Sequence, residues 1–211
     1  MQVGVLVFTA AEELDLAGPW EMLGMRSLVA AKPSPVLVAQ KVEPVRCAKG
    51  LTLLPHHGFD DCPPLDVLVV PGGQGTRRAV DDEALIGFIA DRAASAKAVL
   101  SVCTGAFLLH KAGLLAGRRA TTHWASLDRL RALGDVTVVE ERYVVDGPIW
   151  TSAGVSAGLD MALEFIARTD GPAVAGKVQL VAEYYPDGRR HGGAAAHAQA
   201  PDYAHVVPRV R

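Results

Sequence analysis

The chain has 211 residues, of which 50 % are hydrophobic and 21 % are charged, a balance typical of one globular domain rather than of a disordered chain. Lys and Arg total 21, Asp and Glu total 23, and the net charge of −2 does not favour nucleic-acid binding. No apolar run reaches the ~18 residues of a membrane span. The start, Met1-Gln2-Val3, lacks the basic segment of a secretory signal. We therefore expect a cytoplasmic protein that binds neither membranes nor nucleic acid directly.

The three cysteines, Cys47, Cys62 and Cys103, are scattered and form no Cys-x-x-Cys pair. Such an odd set fits neither a zinc site nor a disulfide framework, and the cytosol would keep the thiols reduced. The Gly-Gly-x-Gly run at 72–75 lacks the surrounding dinucleotide fingerprint, so the sequence offers no site for a metal or an organic cofactor. Each cysteine is therefore either a small core residue or a nucleophile.

Strand and helix patterns alternate along the first half of the chain. Buried strands are apolar and rich in Val, and the clearest of them ends at Pro71-Gly72-Gly73, which is a loop signal. The first helix is expected to begin near Pro19, because Pro suits a first helical turn. The predicted strands are 2–8, 35–42, short strands near 51–54, 66–70 and 97–102, and the predicted helices are 19–30, 81–95 and 104–113.

The alternation continues in the second half. A short strand at 119–122 and a helix at 124–133 precede two or three strands within 135–151, where Asp146-Gly147 predicts a hairpin turn. Helices at 156–168 and 171–184 follow. The pattern predicts an α/β fold with a parallel sheet between helices. Gly, Ala, His and Pro dominate after residue 185, so we divide the chain into an α/β domain, 1–185, and an extended or loosely packed tail, 186–211.

One cysteine stands where α/β sheets place their ligands, at the carboxyl end of a strand. Strand 97–102 leads into Cys103-Thr104-Gly105 and a helix follows at once, much like the strained turn that exposes a hydrolase nucleophile. A helix N-terminus favours the thiolate, and Gly105 would let the helix close tightly behind the turn. The backbone N–H groups of Thr104 and of Gly73, which follows Gly72 after the neighbouring strand, could stabilise a developing negative charge.

The alternative is that Cys103 is only a buried small residue, since free Cys is among the most buried types. We adopt that interpretation for Cys47, which lies in a polar loop, and for Cys62, which precedes two prolines.

Four motifs in register resemble the ThiJ/PfpI superfamily, which consists of amidotransferase-like proteins of flavodoxin type. The similarity runs from about residue 2 to 185. Within the superfamily, the chain is most similar to the branch that holds isonitrile hydratase and the sensor domains of certain AraC-type regulators. The motifs are Asp15-Leu16-Ala17-Gly18-Pro19-Trp20-Glu21, Pro71-Gly72-Gly73-Gln74-Gly75, the cysteine turn with residues 116–124 (Ala-Gly-Arg-Arg-Ala-Thr-Thr-His-Trp), and residues 151–160 (Thr-Ser-Ala-Gly-Val-Ser-Ala-Gly-Leu-Asp).

The resemblance implies a flavodoxin-like sandwich, a mostly parallel sheet with helices on both faces, in a homodimer that needs no cofactor. It also implies that Cys103 is the nucleophile, Asp15 its acidic partner and Thr104 the residue beside it. Protease-like relatives carry a His directly after the Cys, whereas this chain has Thr104, which argues against peptidase activity.

Asp15 follows strand 2–8 by a short loop, so it can reach the carboxyl edge of the sheet. A carboxyl group in an apolar cleft has a raised pKa and stays protonated, so it could donate a hydrogen bond to the Cys103 thiolate and act as a general acid. The alternative is that Asp15 caps the helix expected near Pro19.

Other residues have two interpretations each. Thr104 either caps the helix or orients a water or a substrate nitrogen. His123 is either structural or a wall and hydrogen-bond donor of the site. Trp20 and Trp124 either line an apolar pocket or pack in the core or a dimer interface.

The primary hypothesis is a cysteine enzyme that hydrates a small-molecule isonitrile to an N-substituted formamide. The alternatives are a ligand- or redox-sensing domain without its own DNA-binding part, and a carbonyl-detoxifying protein whose cysteine is oxidised or adds to aldehydes.

Overall fold

The computed structural model describes residues 1–186, 200, 201 and 203. The expected tail, 186–211, therefore lies almost entirely outside the described residues, and the boundary at 185 stays a prediction. The strands are β1 (Val3–Leu6), β2 (Val36–Val38), β3 (Val45–Arg46), β4 (Thr52–Leu53), β5 (Val67–Val70), β6 (Ala98–Val102), β7 (Arg119–Ala120), β8 (Thr137–Val138), β9 (Tyr143–Asp146) and β10 (Ile149–Ser152).

The helices lie between these strands as the alternation predicts. A 3-10 helix, Trp124–Ser126, precedes the fifth of them. The helices are α1 (Glu13–Ala30), α2 (Thr76–Ala79), α3 (Glu83–Ser95), α4 (Gly105–Lys111), α5 (Leu127–Arg131), α6 (Ala157–Asp170) and α7 (Pro172–Val181).

A six-stranded sheet in the order β2-β1-β5-β6-β10-β9 forms the centre of the fold. All its neighbours pair in parallel except β9 with β10, which form the predicted hairpin. Strands β1, β5, β6 and β10 are fully buried, because α1, α6 and α7 pack together on one face while α3 and α4 pack on the other. The predicted flavodoxin-like α/β sandwich is confirmed.

The first helix begins six residues earlier than predicted, at Glu13, and Pro19 lies inside it. A proline there removes one helical hydrogen bond, but packing of α1 against α6 and α7 outweighs that loss. Several other elements are shorter than expected: β2 ends at Val38, α5 at Arg131 and α7 at Val181.

A buried ion pair ties α1 to the end of α6. Arg26 is 1 % exposed, and its Nε and Nη2 donate to Asp170 Oδ2 and Oδ1 at 2.7 and 3.1 Å. Burial acts to raise the pKa of Asp170, but the hydrogen bonds from Arg26 and Thr169 outweigh it, and the pKa is lowered. No helix in the described part of the chain has the length and apolarity needed to cross a membrane.

Candidate active site

Cys103 occupies a strained turn between β6 and α4. Its φ is 57°, in the left-handed region that side chains rarely adopt. The surrounding strands hold this conformation: the Cys103 N–H donates to Ser152 O at 3.1 Å, and Thr122 Oγ1 donates to Cys103 O at 2.8 Å. The cysteine is therefore fixed at the carboxyl end of the sheet, 7 % exposed.

Two glycines permit the close packing around this turn. A Cβ on Gly105 would lie 2.4 Å from Val70 O, so the predicted need for a small residue there is confirmed. A Cβ on Gly72 would lie 2.5 Å from Thr104 N and 2.9 Å from Asp15 Oδ2. The loop after β5 can therefore pack this closely against Thr104 and Asp15 only because residue 72 has no side chain.

Asp15 lies in the first turn of α1 and is completely buried. Its Oδ2 accepts the Gly72 N–H at 2.9 Å. Its Oδ1 is buried without a hydrogen-bond partner among the described residues, and the carboxyl group lies near enough to the Cys103 thiol that each affects the pKa of the other. The alternative that Asp15 caps the helix is wrong, because α1 begins at Glu13 and its cap position is Glu12. The fold brings together two side chains that are far apart in the sequence.

Burial dominates the proton affinities of this pair. It raises the pKa of Asp15 from 3.8 to about 8, although the Gly72 N–H opposes the change. Burial, followed by the charge of Asp15, raises the pKa of Cys103 to about 12, against hydrogen bonds from Thr104. The Thr104 N–H at the start of α4 does lower the pKa of the thiol, as expected, but desolvation outweighs it and the net change is upward. Asp15, which has the lower pKa of the two, therefore loses its proton first, near pH 8, and the thiol keeps its own.

Thr104 joins the turn to the loop after β5. Its Oγ1 accepts the Gly73 N–H at 2.9 Å and lies 3.1 Å from Thr76 Oγ1, which donates to Gly73 O at 2.7 Å. The Gly73 N–H, expected to bind a substrate anion, is thus engaged within the protein. The Thr104 N–H instead faces the Cys103 sulfur. Thr76 belongs to this network, and no sequence pattern pointed to it.

His123 directly follows Thr122, which lies beyond the end of β7 and donates its hydroxyl to the cysteine turn. Its Nδ1 accepts the Ala125 N–H at 3.2 Å, so the neutral ring carries its proton on Nε2. A Cβ on Gly154 would lie 2.0 Å from the His123 ring, which explains the glycine of the Thr-Ser-Ala-Gly motif. Burial lowers the pKa of His123, and Glu12 opposes this change. The ring is therefore a neutral hydrogen-bond donor at physiological pH.

The two candidate tryptophans differ in their surroundings. Trp124 lies next to the His123 ring, with centroids 5.5 Å apart. Trp20 stacks on His56 at 5.7 Å and stands five positions after Asp15, about 140° around the helix. Trp20 therefore points away from the carboxyl group, toward the β4 side of α1.

Two features near the site had no signal in the sequence. Lys49 forms an ion pair with Glu12, and the two charges change the pKa of Asp15 in opposite directions. Burial raises the pKa of Tyr203, and the charges of Arg142, Glu140 and Cys103 also affect that pKa. Tyr203, a residue of the expected tail, therefore lies within electrostatic range of the thiol.

The other two cysteines fit the interpretation that they are small buried residues. Cys47 and Cys62 are free, buried and part of the hydrophobic core. Among the described residues, no group of three His, Cys, Asp or Glu is placed to hold a metal ion.

Comparison with known proteins identifies the family of the chain. The model of the DJ-1/PfpI family matches residues 1–168. Isonitrile hydratase of Pseudomonas putida is 44 % identical over 186 residues, which cover 88 % of this chain and 79 % of that protein. The HTH-type transcriptional regulator CdhR of Pseudomonas aeruginosa is 33 % identical over 136 residues, covering 64 % of this chain and 40 % of the regulator. The crystal structure of a ThiJ/PfpI family protein from Pseudomonas syringae superposes with a TM-score of 0.84 at 38 % identity, covering 96 % of this chain and 81 % of that one.

Proposed function

Because the chain belongs to the DJ-1/PfpI family, we propose that it is a cysteine enzyme that hydrates isonitriles to N-substituted formamides without a cofactor. The observation that carries the proposal is the completely buried Asp15 carboxyl group beside the Cys103 thiol; burial raises the pKa of Asp15 to about 8. An isonitrile carbon must receive both a nucleophile and a proton, and this pair supplies one of each.

In the first step, the Cys103 sulfur attacks the terminal carbon of the isonitrile. A C–S bond forms and Asp15 transfers its proton to the same carbon, which gives a thioimidate and leaves Asp15 as a carboxylate. The Thr104 N–H, at the sulfur, stabilises the thiolate before attack. The reactive form of the pair has lost a single proton. Because Asp15 has the lower pKa, the remaining proton rests on Cys103 and must move to Asp15 before the sulfur attacks.

In the second step, water adds across the C=N bond of the thioimidate. Its oxygen bonds to carbon, one hydrogen goes to nitrogen, and the Asp15 carboxylate takes the hydroxyl proton as the C–S bond breaks. The product is the formamide, while Cys103 leaves as a thiolate and Asp15 is protonated again. Atoms and charge balance over the cycle. The neutral His123 Nε2–H is the hydrogen-bond donor that we propose for the water or the substrate nitrogen.

The test is formamide production from a simple alkyl isonitrile, followed by mass spectrometry. Wild type should form product, and Cys103→Ala should form none. Cys47→Ala and Cys62→Ala are matched controls, since both replace buried core cysteines, and both should retain activity. Product from Cys103→Ala would overturn the assignment of the nucleophile.

The second candidate function is ligand sensing, favoured by the similarity to a transcriptional regulator over 64 % of this chain. Binding of an isonitrile or an aldehyde without turnover would favour this function over hydration. Selective oxidation of Cys103 by peroxide would favour a redox-sensing role.

We further propose that the chain acts as a homodimer in the cytoplasm. Supporting this, Leu14 of α1 and Leu51 and Leu54 beside β4 are exposed apolar side chains, and a second copy could bury them. Light scattering after size exclusion should give twice the 22.2 kDa chain mass, whereas a monomer mass at micromolar concentration would contradict the proposal.

A further inference from the structure

A second cavity lies at the carboxyl edge of the sheet, where the strand order reverses. Strand β1 connects through α1 to β2 on one side, whereas β5, on the other side of β1, connects through α3 to β6. Because α1 and α3 cover opposite faces of the sheet, the loops after β1 and β5 diverge and leave a crevice. The crevice is a cavity of about 970 Å³, which we call the β1–β5 cavity, and its lining comes from segments 7–10, 39–45 and 74–85.

The β1–β5 cavity is separate from the active site. The two loops meet between them, because the Gly75 N–H donates to Ala10 O at 2.9 Å. A Cβ on Gly75 would lie 2.1 Å from Thr9 O, so the loops are in close contact. Neither Asp15 nor Cys103 lines the cavity. A ligand in the cavity is therefore held away from the reacting atoms.

The buried part of the lining is an apolar floor. Its five side chains are each at most 8 % exposed and follow β1 and β2 or belong to α2 and α3. Such a surface favours a ligand with a hydrocarbon body, which it removes from water, and the volume is at the upper end of the range for small-molecule sites. The floor residues are Val7, Phe8, Ala39, Ala79 and Leu85.

The rim of the β1–β5 cavity carries three exposed cations, Lys41, Arg77 and Arg78. None of the three forms an ion pair within the part of the chain that the structure describes. Arg77 Nη1 donates instead to the amide oxygen of Gln74 at 2.5 Å, which holds the guanidinium at the rim. These charges are therefore available to an anionic ligand.

Two carboxylates also line the cavity, and they limit the charge of the ligand. Glu43 lies on the exposed rim, and Asp82 caps α3, where its Oδ1 accepts the N–H groups of Ala84 and Leu85 at 3.1 Å. The lining therefore has one positive charge in excess. One carboxylate of a ligand neutralises this excess, whereas a phosphate dianion would exceed it. Guanidinium groups also bind both oxygens of a carboxylate through their planar N–H donors.

We propose that the β1–β5 cavity binds an acyl carboxylate, an organic acid whose hydrocarbon chain lies on the apolar floor. Its carboxylate binds at the rim, to Lys41, Arg77 and Arg78. The chain then has two ligand sites, one for the reacting isonitrile and one for an organic acid that is not consumed. The second site does not rest on the proposed hydration, because it uses neither Cys103 nor Asp15.

The test is calorimetric titration of the full chain with octanoate at neutral pH. Octanoate should bind with a dissociation constant of about 1 mM or tighter. Octanamide has the same chain without the charge and should bind about tenfold more weakly. No saturable binding of octanoate at ten times that concentration would overturn the inference. Tighter binding of octyl phosphate than of octanoate would overturn the assignment of a carboxylate.

Substitutions at the rim should change octanoate affinity in opposite directions. Lys41→Met and Arg78→Met should each weaken binding about fivefold, because each removes an attractive charge. Glu43→Gln should strengthen it about threefold, because it removes a repulsive one. Octanamide affinity should stay the same in all three variants. A purely structural effect of these exposed positions would weaken both ligands alike, and that result would contradict the proposal.

The matched control is Arg119→Met. Arg119 is also exposed, but it lies in β7, which contacts β9 at the far edge of the sheet from β2, and it does not line the cavity. Arg119→Met and Cys103→Ala should both bind octanoate as wild type does. Loss of binding in Cys103→Ala would place the ligand in the active site. Equal affinities of Arg78→Met and Arg119→Met would place it outside the β1–β5 cavity, and either result would overturn the inference.

Discussion

Replacing Asp15 by Asn should stabilise the protein in a pH-dependent way while abolishing turnover. Burial raises the pKa of Asp15 from 3.8 to about 8. Between these values the folded chain holds a proton that the unfolded chain releases, so each pH unit destabilises the fold by about 1.4 kcal/mol. At pH 7, about three units above the ordinary value, the cost is about 4 kcal/mol. The amide of Asn can accept the Gly72 N–H and donate to Cys103 without ever ionising.

The assay is urea unfolding of both proteins, followed by tryptophan fluorescence, at intervals from pH 4 to 8. The two free energies of unfolding should be similar near pH 4, and the advantage of Asp15→Asn should grow to about 4 kcal/mol at pH 7. Asp66→Asn is the control with the opposite sign, because hydrogen bonds from Lys97 and the Gln2 N–H lower the pKa of Asp66. A difference between Asp15→Asn and wild type that stays constant across this range would refute the argument that the carboxyl group is protonated.

Three further predictions follow from the same geometry. Gly72→Ala should lower kcat/KM at least 100-fold, because its Cβ would lie 2.5 Å from Thr104 N. Gly87→Ala is the control, since this exposed helix position has nothing within 4 Å, and it should leave kcat/KM unchanged. Equal kcat/KM values for the two variants would contradict the predicted clash at Gly72. The rate of formamide production should rise about tenfold per pH unit up to about pH 8, where the active-site pair loses its first proton; a flat profile from pH 6 to 8 would refute the singly ionised form. Arg26→Met should lose about 3 kcal/mol in urea unfolding at pH 7, because it leaves the buried Asp170 unpaired. Adding Asp170→Asn should restore part of that loss, and a neutral Arg26→Met would show that the ion pair contributes nothing.

Local sequence patterns predict the class of the fold, which is confirmed, and the turn that carries Cys103. Apolar runs such as 66–70 and 97–102 can only be buried strands, and the abrupt stop at Cys103-Thr104-Gly105 forces a tight turn at the carboxyl edge. These signals are local, because an apolar run and the turn residues that follow it are neighbours in the sequence. The motif around Asp15 suggested its partnership with Cys103 only through family resemblance.

The surroundings of Cys103 at that turn depend on packing between distant parts of the chain. The start of α1 at Glu13 depends on packing against α6 and α7, and it moves Asp15 from a cap position into the buried site. Desolvation, which no sequence pattern records, outweighs the helix N-terminus and raises the pKa of Cys103. Lys49 pairs with Glu12, at the start of α1, because the turn between β3 and β4 folds back onto it. Electrostatic free energies depend on distance and burial in space, and these are fixed only when the whole chain is folded.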